Sequence, residues 1–232
     1  MVYNYLNIPR AWLFPPHCVL CDGSGHQDLD LCAGCSEDLP KNIPACMRCA
    51  APLPAPKTAL VCGHCQAIPP WFQSATAPYR YQQPMAYLIQ QLKFARQLSL
   101  ARLLGELMAN SFLDRTEMPD CLIPVPLHPR RLRERGFNQA LEISRVVGRR
   151  LNIPVHSRIC ARVRYTEAQS LLPMKQRRAN VRNAFRVQGS VKDQNVAIVD
   201  DVITTGNTVN ELARNLLRAG VRRVVVWAIA HA

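Results

Sequence analysis

Two adjacent carboxylates near the end of the chain, Asp200 and Asp201, precede a turn that is rich in hydroxyl groups and opens a helix. The residues of this turn are Thr204, Thr205, Gly206, Asn207 and Thr208. Free backbone amides and the positive end of a helix dipole favour a phosphate dianion, and threonine hydroxyls add further donors. Glycine lets the backbone approach a ligand closely. The spacing therefore predicts a phosphate-binding loop directly after a pair of acids.

The residues around this loop predict a strand, a helix and a second strand. Residues 196 to 199 are apolar and mostly β-branched, which is typical of a strand buried on both faces of a parallel sheet. Such a strand, ending in the two acids, places them at the carboxyl edge of the sheet, where open α/β folds bind ligands. Apolar residues then recur at helical spacing between positions 209 and 217, Gly220 is the expected helix end, and residues 224 to 229 predict the next strand.

This order of acids, hydroxyls and glycine resembles the phosphoribosyl pyrophosphate (PRPP) motif of type I phosphoribosyltransferases. In that family the paired acids hold the ribose hydroxyls, the acidic end serves a Mg²⁺ site, and the turn binds the 5′-phosphate. The resemblance implies that Asp200 and Asp201 are catalytic, that residues 204 to 208 bind PRPP, and that Mg²⁺ is a cofactor. An ordinary strand and helix with solvated acids is the alternative. The motif argues for ligand binding more than for turnover, because fold and function are separable.

Eight of the ten cysteines form four Cys-x-x-Cys pairs in the first part of the chain. They are Cys18 and Cys21, Cys32 and Cys35, Cys46 and Cys49, and Cys62 and Cys65. Two such turns complete a closed four-sulfur zinc site, so we interpret the pairs as two tandem ribbons with structural Zn²⁺. Sequential pairing is the simplest arrangement, whereas an interleaved pairing or a single occupied site also satisfies the spacing. Disulfides and a redox Cys-x-x-Cys are the alternatives.

The 232-residue chain carries a formal net charge of +13, and the excess lies outside its first 75 residues. Residues 127 to 186 contain fifteen arginines and lysines against three glutamates. Such density favours an anionic partner, and both a phosphate-rich small molecule and a nucleic acid satisfy it. The apolar runs are far shorter than a membrane span, and the opening residues show no export signal. We therefore expect a soluble, cytoplasmic protein without membrane insertion.

A second anion site is predicted after a buried strand at residues 121 to 125. Four arginines follow within six positions, namely Arg130, Arg131, Arg133 and Arg135. In a phosphoribosyltransferase the corresponding loop receives pyrophosphate, and guanidinium groups suit a ligand of that charge. Short strands are also expected at residues 79 to 81 and 157 to 163. One or two helices are expected between residues 87 and 108, and Cys121 and Cys160 are expected to be core residues.

Taken together, these motifs resemble the ComF/GntX family over nearly the whole chain. The cysteine pairs, the acid pair, the Arg-Gly-Phe-Asn-Gln segment at residues 135 to 139 and four polar residues carry the resemblance. The four polar residues are Thr166, Gln169, Arg178 and Asn180. Their position matches the mobile loop that closes over the site in phosphoribosyltransferases, and a basic arm that binds nucleic acid is the competing interpretation. Family members are bacterial and are associated with natural competence and the use of external DNA.

These expectations describe a two-part α/β protein. Residues 1 to 70 form a small double zinc-ribbon module, and residues 71 to 232 form a type I phosphoribosyltransferase-like parallel sheet with helices on both faces. The expected function is PRPP binding in DNA uptake or in the use of extracellular DNA as a nutrient, with glycosyl transfer from PRPP left open. The alternative is a non-catalytic protein that binds single-stranded DNA or acts as an adaptor for DNA-uptake proteins.

Overall fold

The computed structural model of the protein describes residues 15 to 54, 60 to 165 and 181 to 232. The chain divides into two compact units, Met1–Leu39 and Pro40–Ala232. The first two cysteine pairs belong to the first unit, and the other two belong to the second, together with the sheet. The domain boundary at residue 70 stays a prediction, and the second ribbon shares a compact unit with the residues that follow it.

The first unit is a ribbon with one short helix, α1 (Ala33–Glu37). The amide of Cys18 donates a 2.7 Å hydrogen bond to the carbonyl of Gly23, which closes the first turn. Helix α1 begins after Cys32, whose sulfur accepts a 3.4 Å hydrogen bond from the amide of Cys35. A unit this small buries little apolar surface, so a bound metal is the expected source of its stability.

The second unit alternates helices and strands. Its helices are α2 (Gly63–Ala67), α3 (Met85–Phe94), α4 (Ser99–Asn110), α5 (Pro129–Arg135), α6 (Gln139–Leu151) and α7 (Asn207–Arg218). Its strands are β1 (Ser74–Thr76), β2 (Tyr79–Arg80), β3 (Cys121–Pro124), β4 (Cys160–Arg162), β5 (Phe185–Val187), β6 (Asn195–Ile203) and β7 (Arg223–His231). One or two helices were expected between residues 87 and 108, and the structure shows two, α3 and α4. None of the helices in the described part of the chain has both the length and the hydrophobicity of a membrane span.

The main sheet is parallel, as predicted. β7 lies next to β6, and β6 lies next to β3. β1 and β2 both pair with the other edge of β7, one after the other. The crossover from β6 through α7 to β7 confirms the strand, helix and strand predicted for the C-terminal part of the chain.

Helices cover both faces of this sheet, also as predicted. On one face Ile198 and Val226 belong to the same buried cluster as Leu212 and Leu216 of α7. Side chains alternate along a strand, so Trp227 faces the opposite side. There its ring stacks on the ring of Phe112, which follows α4, at a centroid distance of 3.9 Å. Helices α4 and α6 pack together closely, because a Cβ on Gly105 would lie 2.5 Å from Val146.

Three local expectations differ from the structure. The strand expected at residues 157 to 163 is limited to β4, which pairs antiparallel with β5 in a separate two-stranded sheet. The strand before the acids does not stop there, since Asp200 pairs with Ala228 and Val202 with Ala230 along β7. The arginine-rich segment is helical. Pro129 occupies its first turn, and Gly136, at φ +87°, ends it.

Candidate ligand site and metal centres

A cavity of about 520 Å³ lies at the carboxyl edge of the sheet. Its wall combines the residues after β3, the end of β6 and the start of α7 with side chains from α3, α5, α6 and β4. The charged and hydroxyl-bearing residues of the wall include Lys93, Arg131, Arg135, Arg162, Asp200, Asp201, Thr204 and Thr208. The acids, the phosphate loop and part of the arginine cluster, predicted from separate stretches of sequence, are therefore brought to one place.

Both acids lie in the paired part of β6, which restricts their backbone. The amide of Asp201 donates a 2.9 Å hydrogen bond to Oδ1 of Asp200. Asp201 is 9% exposed, although it carries a carboxylate. Charged groups are rarely buried to this extent unless they are paired, so the surrounding cations decide how the two acids behave.

Burial raises the pKa of Asp200 from 3.8 to about 7, and the neighbouring charge of Asp201 acts in the same direction. The positive charges of Lys93 and Arg162, together with the hydrogen bond from the amide of Asp201, partly oppose this rise. Two adjacent carboxylates in a low-dielectric site cannot both ionise freely. The pair therefore favours a state in which further positive charge, or a proton, is present.

Lys93 is a site residue that sequence reasoning missed. Its Nζ lies 2.9 Å from Oδ2 of Asp201, and the two side chains are 19% and 12% exposed. Gln90, one helical turn earlier on α3, lines the same cavity. One sequence feature could have indicated Lys93. Gln90 and Lys93 are polar residues three positions apart on a helix whose Leu88, Ile89 and Leu92 are fully buried.

The structure divides the predicted arginine cluster. Arg131 and Arg135 line the cavity. Burial lowers the pKa of Arg135, and the negative charge of Asp201 opposes that effect. Arg130 instead forms an ion pair with Glu134 at 3.1 Å on the outer side of α5, and Arg133 is exposed outside the wall. Helical geometry explains the division, since residues 131 and 135 share one face.

Arg162 on β4 is a second missed cation. It is 8% exposed and lines the cavity. Burial, followed by the charge of Arg131, lowers its pKa to about 10, while the charge of Asp200 opposes the shift. Its guanidinium carbon lies 5.5 Å from the centroid of the Phe185 ring on β5. The antiparallel pairing of β4 with β5 therefore places a buried guanidinium beside the acids.

The predicted phosphate loop connects β6 to α7. Gly206 adopts φ +71° directly before the helix, a conformation that residues with a Cβ rarely adopt. Thr204, Gly206 and Thr208 line the cavity, whereas Thr205 and Asn207 lie in the same turn outside its wall. Thr205 Oγ1 is buried without a hydrogen-bond partner among the described residues. The start of an α-helix favours an anion, because its first amides have no acceptor within the helix and lie at the positive end of its dipole.

The residues of the predicted mobile loop cannot be compared with the structure. Thr166, Gln169, Arg178 and Asn180 lie outside the described residues. Tyr165, directly before that segment, is 42% exposed, and its ring lies 4.8 Å from the guanidinium carbon of Arg130. Tyr165 thus lies beside helix α5.

The eight paired cysteines form two groups of four, each with its sulfurs within 4.8 Å of one another. Pairing is sequential, so the first two pairs share one site and the last two share the other. Sulfurs of Cys21 and Cys32 are 3.7 Å apart, as are those of Cys49 and Cys62. A Zn–S bond of about 2.3 Å implies a tetrahedral edge of about 3.8 Å. Both groups therefore fit structural Zn²⁺ in closed sites.

The other two cysteines are core residues, as predicted. Cys121 is 1% exposed and Cys160 is 5% exposed. Burial raises the pKa of Cys121 to about 11 and that of Cys160 to about 12. Both thiols are therefore protonated at neutral pH and contribute packing to the sheet.

Comparison with protein families identifies both parts of the chain. Residues 10–66 match the double zinc ribbon domain, and residues 137–231 match the phosphoribosyl transferase domain. The first match covers both groups of cysteines. The second covers the helix after the arginine cluster, the acid pair and the phosphate loop.

Relatives of known name cover nearly the whole chain. Competence protein F of Haemophilus influenzae is 36% identical over 224 residues, which is 93% of this chain and 96% of that protein. DNA utilization protein YhgH of Escherichia coli O157:H7 is 38% identical over 225 residues, which is 94% of this chain and 97% of that protein. Among solved structures, the glutamine PRPP amidotransferase of B. subtilis is 21% identical with a TM-score of 0.39, covering 56% of this chain and 26% of that chain.

The two cysteine groups predict two zinc ions per chain. We expect Cys49→Ser and Cys21→Ser each to lose about one ion, because serine is a poor ligand for a four-sulfur site. Cys49→Ser should also lower the melting temperature of the unit that contains the sheet, whereas Cys21→Ser should leave that transition in place. Elemental analysis and calorimetry measure the two quantities. A reduced wild-type protein that purifies without zinc would contradict the assignment.

The raised pKa of Asp200 predicts a pH-dependent gain in stability for Asp200→Asn. Between about pH 4 and about pH 7 the folded state retains a proton that the unfolded chain has lost, so the free energy of unfolding falls as pH rises. Above about pH 7 the ionised Asp200 destabilises the folded state in full, and asparagine removes this destabilisation. We expect the variant to melt several degrees above wild type at about pH 8, with a smaller difference at about pH 5. Asp193→Asn, before β6, is the control, and an equal gain at both pH values would refute the assignment.

Proposed function

Because the chain belongs to the ComF/GntX family of competence and DNA utilization proteins, we propose that it binds Mg²⁺·PRPP at the carboxyl edge of its sheet. The supporting observation is that one cavity combines an acid pair, a glycine-initiated helix start and three arginines. Carboxylates suit the ribose hydroxyls, the helix start suits the 5′-phosphate, and guanidinium groups suit pyrophosphate. The arginines of this proposal are Arg131, Arg135 and Arg162, of which the last was not expected from the sequence.

The donor set of the cavity is consistent with Mg²⁺. Asp200 and Asp201 offer carboxylate oxygens, which are the ligands that this hard cation prefers, and it commonly retains substrate phosphate and water as further ligands. When bound, Mg²⁺ would neutralise part of the charge of the diphosphate ester. The chain's own residues then orient the ester: the loop at residues 204 to 208 binds one end, and the arginines bind the other.

We include glycosyl transfer in the proposal. In this reaction a nucleophile attacks C1 of the ribose, and the C1–O bond to pyrophosphate breaks with its electron pair leaving on the pyrophosphate oxygen. Arg131 and Arg135 would stabilise the departing charge, and positioning of the reactants would supply most of the remaining acceleration. Thr166, Gln169, Arg178 and Asn180 are proposed to close over the bound ester.

Calorimetric titration of PRPP with Mg²⁺ tests the ligand assignment. We expect wild type to bind and the Asp200→Asn, Asp201→Asn double variant to bind at least about a hundredfold more weakly, since two ribose and metal contacts are removed. Asp193→Asn removes a carboxylate before β6 and should bind like wild type. Absence of binding by wild type would exclude PRPP as the ligand. Equal binding by the double variant would exclude the acids as its contacts.

We also propose a cytoplasmic role in the use of DNA taken up from outside the cell, as the names of the relatives suggest, with single-stranded DNA or a DNA-uptake protein as partner. Support comes from the net positive charge of residues 127 to 186 and from the outer side of α5. Arg130 and Arg133 are exposed there, and the Tyr165 ring lies beside Arg130. An aromatic ring next to guanidinium groups suits stacking of unpaired bases and contact with phosphates.

Fluorescence anisotropy with a labelled oligothymidylate over a salt series tests DNA contact. We expect log K to fall linearly with the logarithm of the salt concentration. Each phosphate contact of a single strand contributes about 0.7 to this slope, so the double variant Arg130→Gln, Arg133→Gln should make the slope shallower by about 1.4. Arg218→Gln, Arg222→Gln removes the same charge at and just after the C-terminal end of α7 and should leave the slope unchanged. An equal effect of both pairs would show only general charge attraction, and no binding at low salt would reject the partner.

A further inference from the structure

Lys93 occupies a defined position in the site, and neither the motif nor the phosphoribosyl transferase domain match at residues 137–231 includes it. It lies in the last turn of α3, and its ammonium nitrogen is 2.9 Å from Oδ2 of Asp201. The side chain is 19% exposed, so water contributes little to its solvation. Salt and water screen an ion pair this shielded less than they screen a surface pair.

The helix that carries Lys93 is held firmly against the rest of the unit. Leu88, Ile89 and Leu92 are fully buried, which fixes the axis of α3. From that backbone, lysine offers a point charge on a flexible stem with three donors, unlike the rigid fork of arginine. Rotation about the bonds of such a side chain lets its ammonium group change partner without movement of the helix.

We propose that Lys93 is a resident counter-cation of the acid pair, and that it must leave Asp201 before a divalent cation can use that carboxylate. A divalent ion and an ammonium group repel each other, and both compete for the same carboxylate oxygens. Lys93 thus keeps the affinity of the empty site for a free divalent cation low. The metal binds together with its phosphate ester, because the ester oxygens give Lys93 an alternative acceptor.

This inference rests on the proposed function, because the ligand that displaces Lys93 is the metal complex of a diphosphate ester. It also adds to that function, since it makes binding of the cation and of the ester cooperative. Moving the ammonium group away from Asp201 is unfavourable, and only a new ion pair with phosphate oxygens compensates for this loss of free energy. The acid pair is thereby kept neutralised between binding events.

The test uses Mn²⁺ alone as the probe, with affinity measured by calorimetry or electron paramagnetic resonance on the full chain. We expect Lys93→Met to bind Mn²⁺ at least about tenfold more tightly than wild type, equivalent to about 1.4 kcal/mol. Lys93→Arg keeps the charge and should stay within about twofold of wild type. Adding Asp201→Asn to Lys93→Met should abolish the gain. Lys192→Met, which removes a cation before β6, should have no effect, and circular dichroism confirms the fold of each variant.

Equal Mn²⁺ affinity in wild type and Lys93→Met overturns the inference, as does a gain that persists after Asp201→Asn is added. If Lys93→Met instead fails to fold, Lys93→Gln and Lys93→Arg give the same comparison of a neutral with a charged side chain. Failure of the proposed function has a different signature. In that case the Mn²⁺ gain would be observed while PRPP does not bind to wild type with or without the metal.

Discussion

The burial of two neighbouring carboxylates at the end of β6 is the constraint on which the cavity depends. Burial and the neighbouring charge of Asp201 disfavour the ionised form of Asp200, as its raised pKa indicates. Three cations oppose this cost, namely Lys93 from α3, Arg135 from α5 and Arg162 from β4. Each cation comes from a different element. The acid pair is therefore stable in its position only when these elements assemble around the carboxyl edge of the sheet.

The features that the sequence predicts well depend on residues that are neighbours in the chain. The order of acids, threonines and Gly206 predicts a strand, a turn and a helix, because each position has a local physical requirement. The spacing within each Cys-x-x-Cys pair is likewise local. The spacing between pairs leaves their pairing open, and the structure shows it to be sequential. The parallel sheet with helices on both faces follows from the buried strands and the helices between them.

The features that the sequence predicts poorly depend on residues far apart in the chain. Lys93 lies more than a hundred positions before Asp201, and nothing near it indicates an ion pair. Arg162 reaches the acids because β4 pairs with β5, which a basic composition does not indicate. The arginine cluster predicts an anion site but not its helical form, so Arg131 and Arg135 could not be separated from Arg130 before the helix was known.

Hydrogen bonds connect the second ribbon to the sheet and to the start of α7. Asn42 is buried, and its amide group donates hydrogen bonds to the carbonyls of Ala50 within the ribbon, at 2.8 Å, and of Ala77 between β1 and β2, at 3.0 Å. After the ribbon, the amide of Trp71 donates a 2.7 Å hydrogen bond to Oδ1 of Asn210, which lies in the first turn of α7. That turn begins at the phosphate loop. The cysteine site that orders the second ribbon is therefore connected, through Trp71, to the first turn of α7. The connection involves no contact between zinc and the candidate ligand position.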